Sequence, residues 1–570
     1  MVSIGLMDKK AAAIARLTNF GVPLITLFIW TQGIYDPVNL PKMVLLSTLA
    51  FALLFILGFR NASEFFTRKG IASKLLGIFL ILGTLNLFTG GSLFSTSFFG
   101  LYGRNTGFLT YLSFSILMIA TFHFTQRSNY RHLVLGLLVA GAVNSLYGAL
   151  QVTGNEFLPW GTQRGTMLGT LGNANFTSAF LGICIVIAVS ILFLSNLSLR
   201  TRLLLVAGIL LSLFDIVKSS SIQGLIVALF GSALSVLILL LKLKIKALFV
   251  WAYTLILTLS SILGAIGILG HGPMKSILFS QNMAYRLEYW NAAFNTGRHN
   301  LLLGVGWDAF GDFYRRFRGS NSLVSPGVDT TVDSAHNVYL DIFANGGLLM
   351  ALAYSLLSIT ILYSIYIQMK SGKFSDPVFV SISLGWISYQ LQSLISINQI
   401  GLAVWGWVLG GAILGYSKIE SEQEFSSVKP TNKLGRKKTV GKNSSVHEFV
   451  GVTSFIGAVI GLLIAIPPLL SDANWRNAQE SKKYEVLTSA ILKWPRDANR
   501  MVAGAKIFTL NKYEDEGLKF TLEATRTYPD SFGPWQLLYA LPQSTSAQKA
   551  EALMEMKRLD PLNPKLKDLP

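Results

Sequence analysis

The stretch Ser334-Ala335-His336-Asn337-Val338-Tyr339-Leu340, followed by Asn345-Gly346-Gly347, closes a long polar loop and opens an apolar run of membrane length. A histidine and an asparagine kept where a loop re-enters a bilayer are costly unless they are used. The placement points to chemistry at the membrane face rather than in a soluble active site.

Composition sets the class around this stretch. The 570 residues are 51% hydrophobic and 14% charged, with a mean hydropathy of +0.50. That is too apolar for a soluble globular protein. Apolar runs lie near 20–34, 40–59, 73–89, 106–124, 133–152, 176–194 and 203–217, then 222–241, 247–269, 346–367, 378–397, 401–416 and 449–470. The reading is an all-α polytopic protein of about thirteen spans, each near the ~20 residues that cross the hydrocarbon core.

Basic residues set the expected orientation. Clusters at Lys9/Lys10/Arg16, Arg60/Arg68/Lys69/Lys74, Arg127/Arg131, Arg200/Arg202, Lys242/Lys244/Lys246, Lys370/Lys373 and 418–442 alternate with loops holding single basic residues, Lys42, Arg104, Arg164 and Lys218. With the N-terminus cytoplasmic, the positive-inside rule gives one register and an extracytoplasmic C-terminus. The net charge of +19 then belongs to cytoplasmic loops facing anionic headgroups, and nucleic acid is not an expected partner. The first apolar run reads as a retained signal-anchor. Cys184 lies inside an apolar span, and no Cys/His cluster has metal spacing, so no metal or other cofactor is expected.

The expected organisation is a membrane domain over 1–416 with an outer loop at 271–345, a basic cytoplasmic linker at 417–448, a last transmembrane helix at 449–470, and an extracytoplasmic helical domain at 471–570. In the outer loop, 283–296 reads as a helix with Arg286 and Trp290 one turn apart. Trp307, Phe310, Phe313, Tyr314 and Phe317 suit an amphipathic helix lying in the outer interface. In the tail, Pro495, Pro529 and Pro561 recur at about 34 residues, the tetratricopeptide period; a plain helical bundle is the other reading. Either form suits protein contacts more than chemistry.

Polar residues at span ends are the candidate site. Arg104 sits in Tyr102-Gly103-Arg104-Asn105-Thr106-Gly107, Arg164 in the run to Gly172-Asn173-Ala174-Asn175, and Arg286 and His336 in the large loop. Arginines converging on one face would grip phosphate oxygens through paired donors. A snorkelling role is the alternative for Arg104 and Arg164. His336 stands apart from the other histidines through Asn337 and Tyr339, and Gly346-Gly347 allows close helix approach. Glu288, Asp308, Asp329 and Asp333 are candidate bases or solvated acids.

Several of these segments together resemble the O-antigen ligase and O-antigen polymerase family of bacterial membrane glycosyltransferases. The similarity runs from Tyr35-Asp36-Pro37-Val38-Asn39-Leu40-Pro41-Lys42 through the Arg104 segment and the Gly-Thr-x-Gly-Asn-x-Asn stretch after Arg164. It continues at Arg286 with Trp290, Leu303-Gly304-Val305-Gly306 with Phe310, and the opening stretch. A departure is Ser220-Ser221-Ile222-Gln223-Gly224, where many relatives have Ser-Arg-Gly. The tail looks like the appendage of some members.

The resemblance implies transfer of a glycan from an undecaprenyl-diphosphate-type carrier to an acceptor hydroxyl at the outer face of the bacterial cytoplasmic membrane. Arg286 and Arg164 would hold the diphosphate, with Arg104 a weaker candidate. His336 would activate or orient the acceptor hydroxyl. Asn337, Asn173, Asn175, Trp290 and Tyr339 would contribute to binding. The partners implied are the lipid-linked donor, a glycan, lipid or protein acceptor, and proteins meeting the tail. Polysaccharide polymerase and protein O-oligosaccharyltransferase are close alternatives. A transporter or flippase of lipid-linked glycans, a shape/division-type peptidoglycan polymerase and an envelope scaffold are more distant ones; almost charge-free spans without repeats disfavour the transporter.

Overall fold

The computed structural model describes residues 2–67, 70–158, 165–417, 444–481, 483–567 and 569. It is all-α, with no strand among the described residues. The membrane part runs α1 (Val2–Leu27), α2 (Asn39–Thr67), α3 (Ile71–Thr89), α4 (Phe94–Phe99), α5 (Phe108–Phe122), α6 (Arg127–Val152), α7 (Ala174–Leu194), α8 (Leu199–Lys218), α9 (Ile222–Lys242) and α10 (Ala247–Ile268). The large loop carries α11 (Lys275–Leu278), α12 (Gln281–His299) and α13 (Phe310–Phe317), before α14 (Val338–Lys370), α15 (Pro377–Ser393) and α16 (Ile400–Tyr416). After the segment 418–443 come α17 (Ser444–Ala465), α18 (Pro467–Ser481), α19 (Tyr484–Leu492), α20 (Ala498–Leu510), α21 (Glu514–Thr527), α22 (Phe532–Ala540) and α23 (Ser546–Leu559).

Many apolar helices make this a multi-pass membrane protein, but the expectation of about thirteen spans is corrected. Among the described residues, seven helices are long and apolar enough to cross, or eight if the pair Phe449–Ala465 and Pro467–Ser481, bent by 46°, counts as one span. Several apolar runs fail for physical reasons. The 15-residue α5 and the 17-residue α15 and α16 reach only about 23–26 Å, short of the roughly 30 Å hydrocarbon core. They are core helices buried among the others. The sequence of α8 includes Arg200, Arg202, Asp215 and Lys218, which breaks its apolar character, and α1 ends at Leu27, inside the first apolar run. The odd-span argument for orientation falls with the count.

Local sequence explains where helices begin. Asn173 opens α7 by accepting from the Asn175 amide at 2.8 Å, Asp376 caps α15 just before Pro377, and Asn337 accepts from the Tyr339 and Leu340 amides to open α14. Side-chain acceptors at these positions satisfy amides that have no partner within the helix. The C-terminus of α1 is closed from another helix: the fully buried Lys42 donates to the carbonyls of Ile25 (3.0 Å), Thr26 (2.7 Å) and Phe28 (2.7 Å). Its charge also suits the negative end of the helix dipole.

The large loop is fastened to α14 through a break in that helix. Gly347 adopts φ 74°, which interrupts the hydrogen-bond ladder. The released groups pair with the loop: Val305 N with Ala344 O (3.1 Å), Gly306 N with Asn345 O (3.0 Å), and Leu348 N with Leu301 O (2.7 Å). The Asn345 Oδ1 accepts from the amides of Ala309 (3.1 Å) and Phe310 (2.8 Å), which starts α13. A Cβ on Gly347 would meet the Leu302 backbone. The glycine therefore makes a backbone junction, where the sequence suggested only close helix packing.

Helices α18–α22 share a core of Leu487, Ile491, Met501, Phe508, Phe520 and neighbours, and α23 packs through Ala552, Met556 and Leu559 on Trp535 and Leu538. Pro495, Pro529 and Pro561 each follow a helix end. This region docks on the loop. Asp472 accepts from the amides of Tyr35 (2.7 Å) and Asp36 (3.2 Å) and from the Tyr102 hydroxyl (2.6 Å). Arg315 and Arg318 meet the buried Asp560 at 3.0 and 2.7 Å, and Arg316 meets Asp530 at 2.6 Å. The expected interfacial helix is thus α13, beginning after Trp307. Phe310, Phe313 and Tyr314 are buried in protein rather than laid in lipid.

Gly347→Ala is expected to cost about 1–3 kcal/mol or more, from strained φ together with a backbone clash. A lowered unfolding midpoint of the solubilised protein, with faster amide exchange in 301–310, checks it.

Candidate functional site

A cavity of about 650 Å³ opens where the loop, the α4–α5 turn and the C-terminal helices meet. One face of α12 supplies Asn282, Tyr285, Arg286 and Tyr289, the i, i+3, i+4, i+7 set of a helix stripe. The α4–α5 turn supplies Tyr102, Arg104 and Asn105, and the end of the loop supplies Asp333 and His336. A further wall comes from Asp472, Arg500 and Tyr528 of the C-terminal region.

His336 is held in one orientation. Its backbone is left-handed (φ 54°), and its amide donates to Ser334 Oγ at 3.2 Å. Nδ1 lies 3.1 Å from the Ser334 carbonyl oxygen. A carbonyl only accepts, so Nδ1 carries the proton and Nε2 keeps its lone pair. Burial pushes the imidazole down from 6.5 to about 4, with Arg286 and Arg104 adding to the effect against the Ser334 hydrogen bond and Asp333. His336 is therefore neutral near pH 7. Tyr289 flanks its ring at 5.7 Å.

The two arginines of this wall differ. Arg104 makes a two-point pair with Asp333, Nε to Oδ2 at 2.8 Å and Nη2 to Oδ1 at 3.1 Å. Burial disfavours its charge, but Asp333 outweighs burial and raises it. Among the described residues Arg286 has no ion-pair partner, and burial lowers its pKa. A half-buried guanidinium that faces a cavity without an ion-pair partner has donors free for an anion.

Asp308 organises the floor. Its Oδ2 accepts from Leu101 N (2.9 Å), Thr106 N (3.2 Å) and Thr106 Oγ1 (3.0 Å). Burial pushes it up to about 6, against those hydrogen bonds. Asn105, Asp308 and His336 all have φ between 54° and 56°, a conformation non-glycine residues seldom adopt. Three such residues lining one cavity mark a place where surrounding structure holds backbone strain.

Of the residues expected from sequence, the cavity brings together Arg104, Asn175, Arg286 and His336. It does not include Asn173, Asn337, Trp290 or Tyr339. Asn173 and Asn337 cap helices, Asn337 also donating to Leu394 O at 2.9 Å. The Tyr339 hydroxyl donates to Gln390 at 2.7 Å, and the buried Trp290 Nε1 has no partner among the described residues. Arg164 lies outside the described residues. Sequence reading missed Tyr285 and Tyr289, although the stripe through Arg286 carries them. It also missed Asp472, Arg500 and Tyr528, for which no local pattern exists. Among the described residues no group of three His, Cys, Asp or Glu could hold a metal.

A family model described as Wzy_C, O-Antigen ligase, matches residues 207–355. The match spans α9 to α13 and the whole large loop, including Arg286, His336 and the Gly347 break. No curated protein matches the chain.

The folded imidazole protonates only as pH falls through about 4, whereas an unfolded histidine does so at 6.5. Between those values the unfolded chain binds more protons, so stability drops as pH falls from 6.5 to 4. His336→Asn should remove that part of the pH dependence, and ¹⁵N NMR of labelled histidine should show one ring titrating near 4. A midpoint near 6.5 for His336 would contradict the geometry.

Proposed function

We propose that this chain transfers a glycan from a polyprenyl-diphosphate carrier to an acceptor hydroxyl, as an O-antigen ligase-like enzyme. One observation carries the reading. A guanidinium with no ion-pair partner among the described residues, Arg286, and a neutral imidazole, His336, both within the segment matched by the family model, line a single cavity.

In this reading the acceptor hydroxyl approaches His336 Nε2, which takes its proton as oxygen attacks the anomeric carbon of the donor. The bond from that carbon to the diphosphate oxygen breaks, and the electron pair leaves with the lipid diphosphate. Negative charge grows on the leaving oxygen, and Arg286 offers two parallel donors to it. Arg164 is the second guanidinium of the proposal. Arg104, already paired with Asp333, orients that carboxylate and the turn holding Asn105. Asn175 lies at the cavity edge, where its Oδ1 accepts from Ser221 at 2.8 Å.

The basic residues at Lys9, Lys10, Arg200, Arg202, Lys242, Lys244 and Lys246 support a cytoplasmic N-terminus. Arg200, Arg202, Lys242, Lys244 and Lys246 lie at or beyond the ends of α7 and α9 that point away from Asn175 and the cavity, so the cavity is read as facing the extracytoplasmic side, with the C-terminal helices read as tetratricopeptide-type pairs. A polymerase, joining the same donor to a growing glycan, uses the same two groups.

Arg286→Ala is expected to lower transfer by about 10²–10³-fold, and His336→Ala by about 10²–10⁴-fold. Arg286→Lys should restore little, because an ammonium lacks the paired donors. The measurement is product formation in proteoliposomes from lipid-linked glycan and acceptor, with insertion and unfolding midpoint unchanged. Transfer by either alanine variant within threefold of the parent would overturn the roles.

A further inference from the structure

The C-terminal helices do more than dock beside the loop, because they build one wall of the cavity. That wall presents Asp312 from α13 and Asp497, Arg500, Tyr528, Ser531 and Gln536 from the C-terminal region. Two of its side chains hold polar atoms that nothing in the fold satisfies. Tyr528 and Arg500 are each only 9% exposed, yet the Tyr528 hydroxyl and Arg500 Nε have no hydrogen-bond partner among the described residues. Buried polar groups are rarely left unpaired without a reason. Facing a cavity, they point to a ligand.

The chemistry of this wall differs from that around Arg286. Arg500 spends its other donors on Ser471 Oγ and on the carbonyls of Lys493 (2.6 Å) and Pro495 (2.5 Å). Arg496 and Arg315, which also line the cavity, are paired with Glu523 at 2.8 Å and Asp560 at 3.0 Å. The charges of Arg496 and Arg315 are therefore met by carboxylates, while Arg500 spends its donors on a hydroxyl and two carbonyls. Asp312 and Asp497 bring acceptor oxygens to the same wall, Asp497 being partly used by the Arg500 amide at 2.7 Å. Carboxylates repel a phosphate but accept from hydroxyls, while a phenol and an amide such as Gln536 both donate and accept. Burial pushes Asp312 up to about 6, against the Ser531 hydroxyl, so an uncharged donor fits it better than a second anion.

We infer that this wall is a binding subsite for an uncharged, hydroxyl-rich ligand, the saccharide units next to the reacting sugar. The inference rests on the glycan-transfer reading and extends it. The cavity is then divided by charge, with Arg286 and His336 at the anion-binding, reacting end and Tyr528 and Asp312 at the saccharide end. The ion pairs of Arg315, Arg316 and Arg318 with Asp560 and Asp530 hold the second wall against the first.

The test uses the full chain in lipid nanodiscs and saturation-transfer NMR. The probes are neutral disaccharides (cellobiose, lactose and N,N′-diacetylchitobiose) and inorganic pyrophosphate. At least one disaccharide should bind, and Tyr528→Phe and Asp312→Asn should each weaken it by roughly fivefold or more, the effect of deleting one buried hydrogen-bonding group. Tyr528→Phe removes only an oxygen that bonds to nothing in the fold, so its unfolding midpoint should equal the parent's. Arg286→Ala should leave disaccharide affinity within twofold and abolish pyrophosphate binding. Competition by the disaccharide with lipid-linked donor marks the saccharide as the donor's, and competition with acceptor marks it as the acceptor's. Binding of no disaccharide, or equal binding by Tyr528→Phe and the parent, overturns the subsite even where transfer still needs His336 and Arg286. Disaccharide binding that needs Tyr528, in a protein whose transfer ignores His336 and Arg286, overturns the catalytic reading and leaves the subsite standing.

Discussion

Backbone pairing across the break at Gly347 is the constraint on which the site depends. An unbroken α14 would keep the carbonyls of Ala344 and Asn345 and the amide of Leu348 within its own ladder. With φ at 74°, those groups turn outward and take up Val305, Gly306 and Leu301 of the loop. Asn345 adds side-chain acceptance of two amides at the start of α13, and Asn86 of α3 donates to Asn345 O at 3.1 Å. The junction places Asp308 beneath the α4–α5 turn and directs α13 toward the C-terminal helices. A loop that long would otherwise lack fixed partners for its buried polar backbone.

Electrostatics then divides labour among the charged groups. Cations in this region mostly have a carboxylate: Arg104 has Asp333, Arg315 and Arg318 share Asp560, and Arg316 has Asp530. Removing one partner from a buried pair is expensive, so these pairs act as fasteners. Arg286 breaks the pattern, having no ion-pair partner among the described residues, and Arg500 of the C-terminal region has none either. His336 complements Arg286 by staying uncharged near pH 7, which avoids a second cation beside it. The left-handed backbone at Asn105, Asp308 and His336 is the strain carried for holding these groups in place.

Much of this site was legible from residue order because local rules govern it. The Ser-x-His-Asn run before an apolar helix and the place of Arg286 on a helix follow from spacing, whereas Asn337, expected as a binding residue, caps α14. Span counting failed for a different reason. Phe108–Phe122 and Ile400–Tyr416 are as apolar as any lipid-facing helix, because burial in protein and burial in lipid select the same residues. Asn337 and Tyr339 look like ligands in a list of polar residues, yet their hydrogen bonds are spent on helix starts and neighbouring helices.

Composition and periodicity by themselves determined an all-helical, multi-pass membrane chain, a large polar loop with His336 and Arg286 at its ends, and a helical C-terminal region. Each is read from patterns within short stretches of chain, where the hydrophobic effect and backbone capping act locally. Only the tertiary structure decided that Arg104 is neutralised, that Arg286 is not, and that Arg500 and Tyr528 face the same cavity. Those outcomes depend on pairs separated by hundreds of residues, such as Arg315 with Asp560 and Tyr102 with Asp472. Coulomb attraction and hydrogen bonding fall off with distance in space, and distance along the chain carries no information about them.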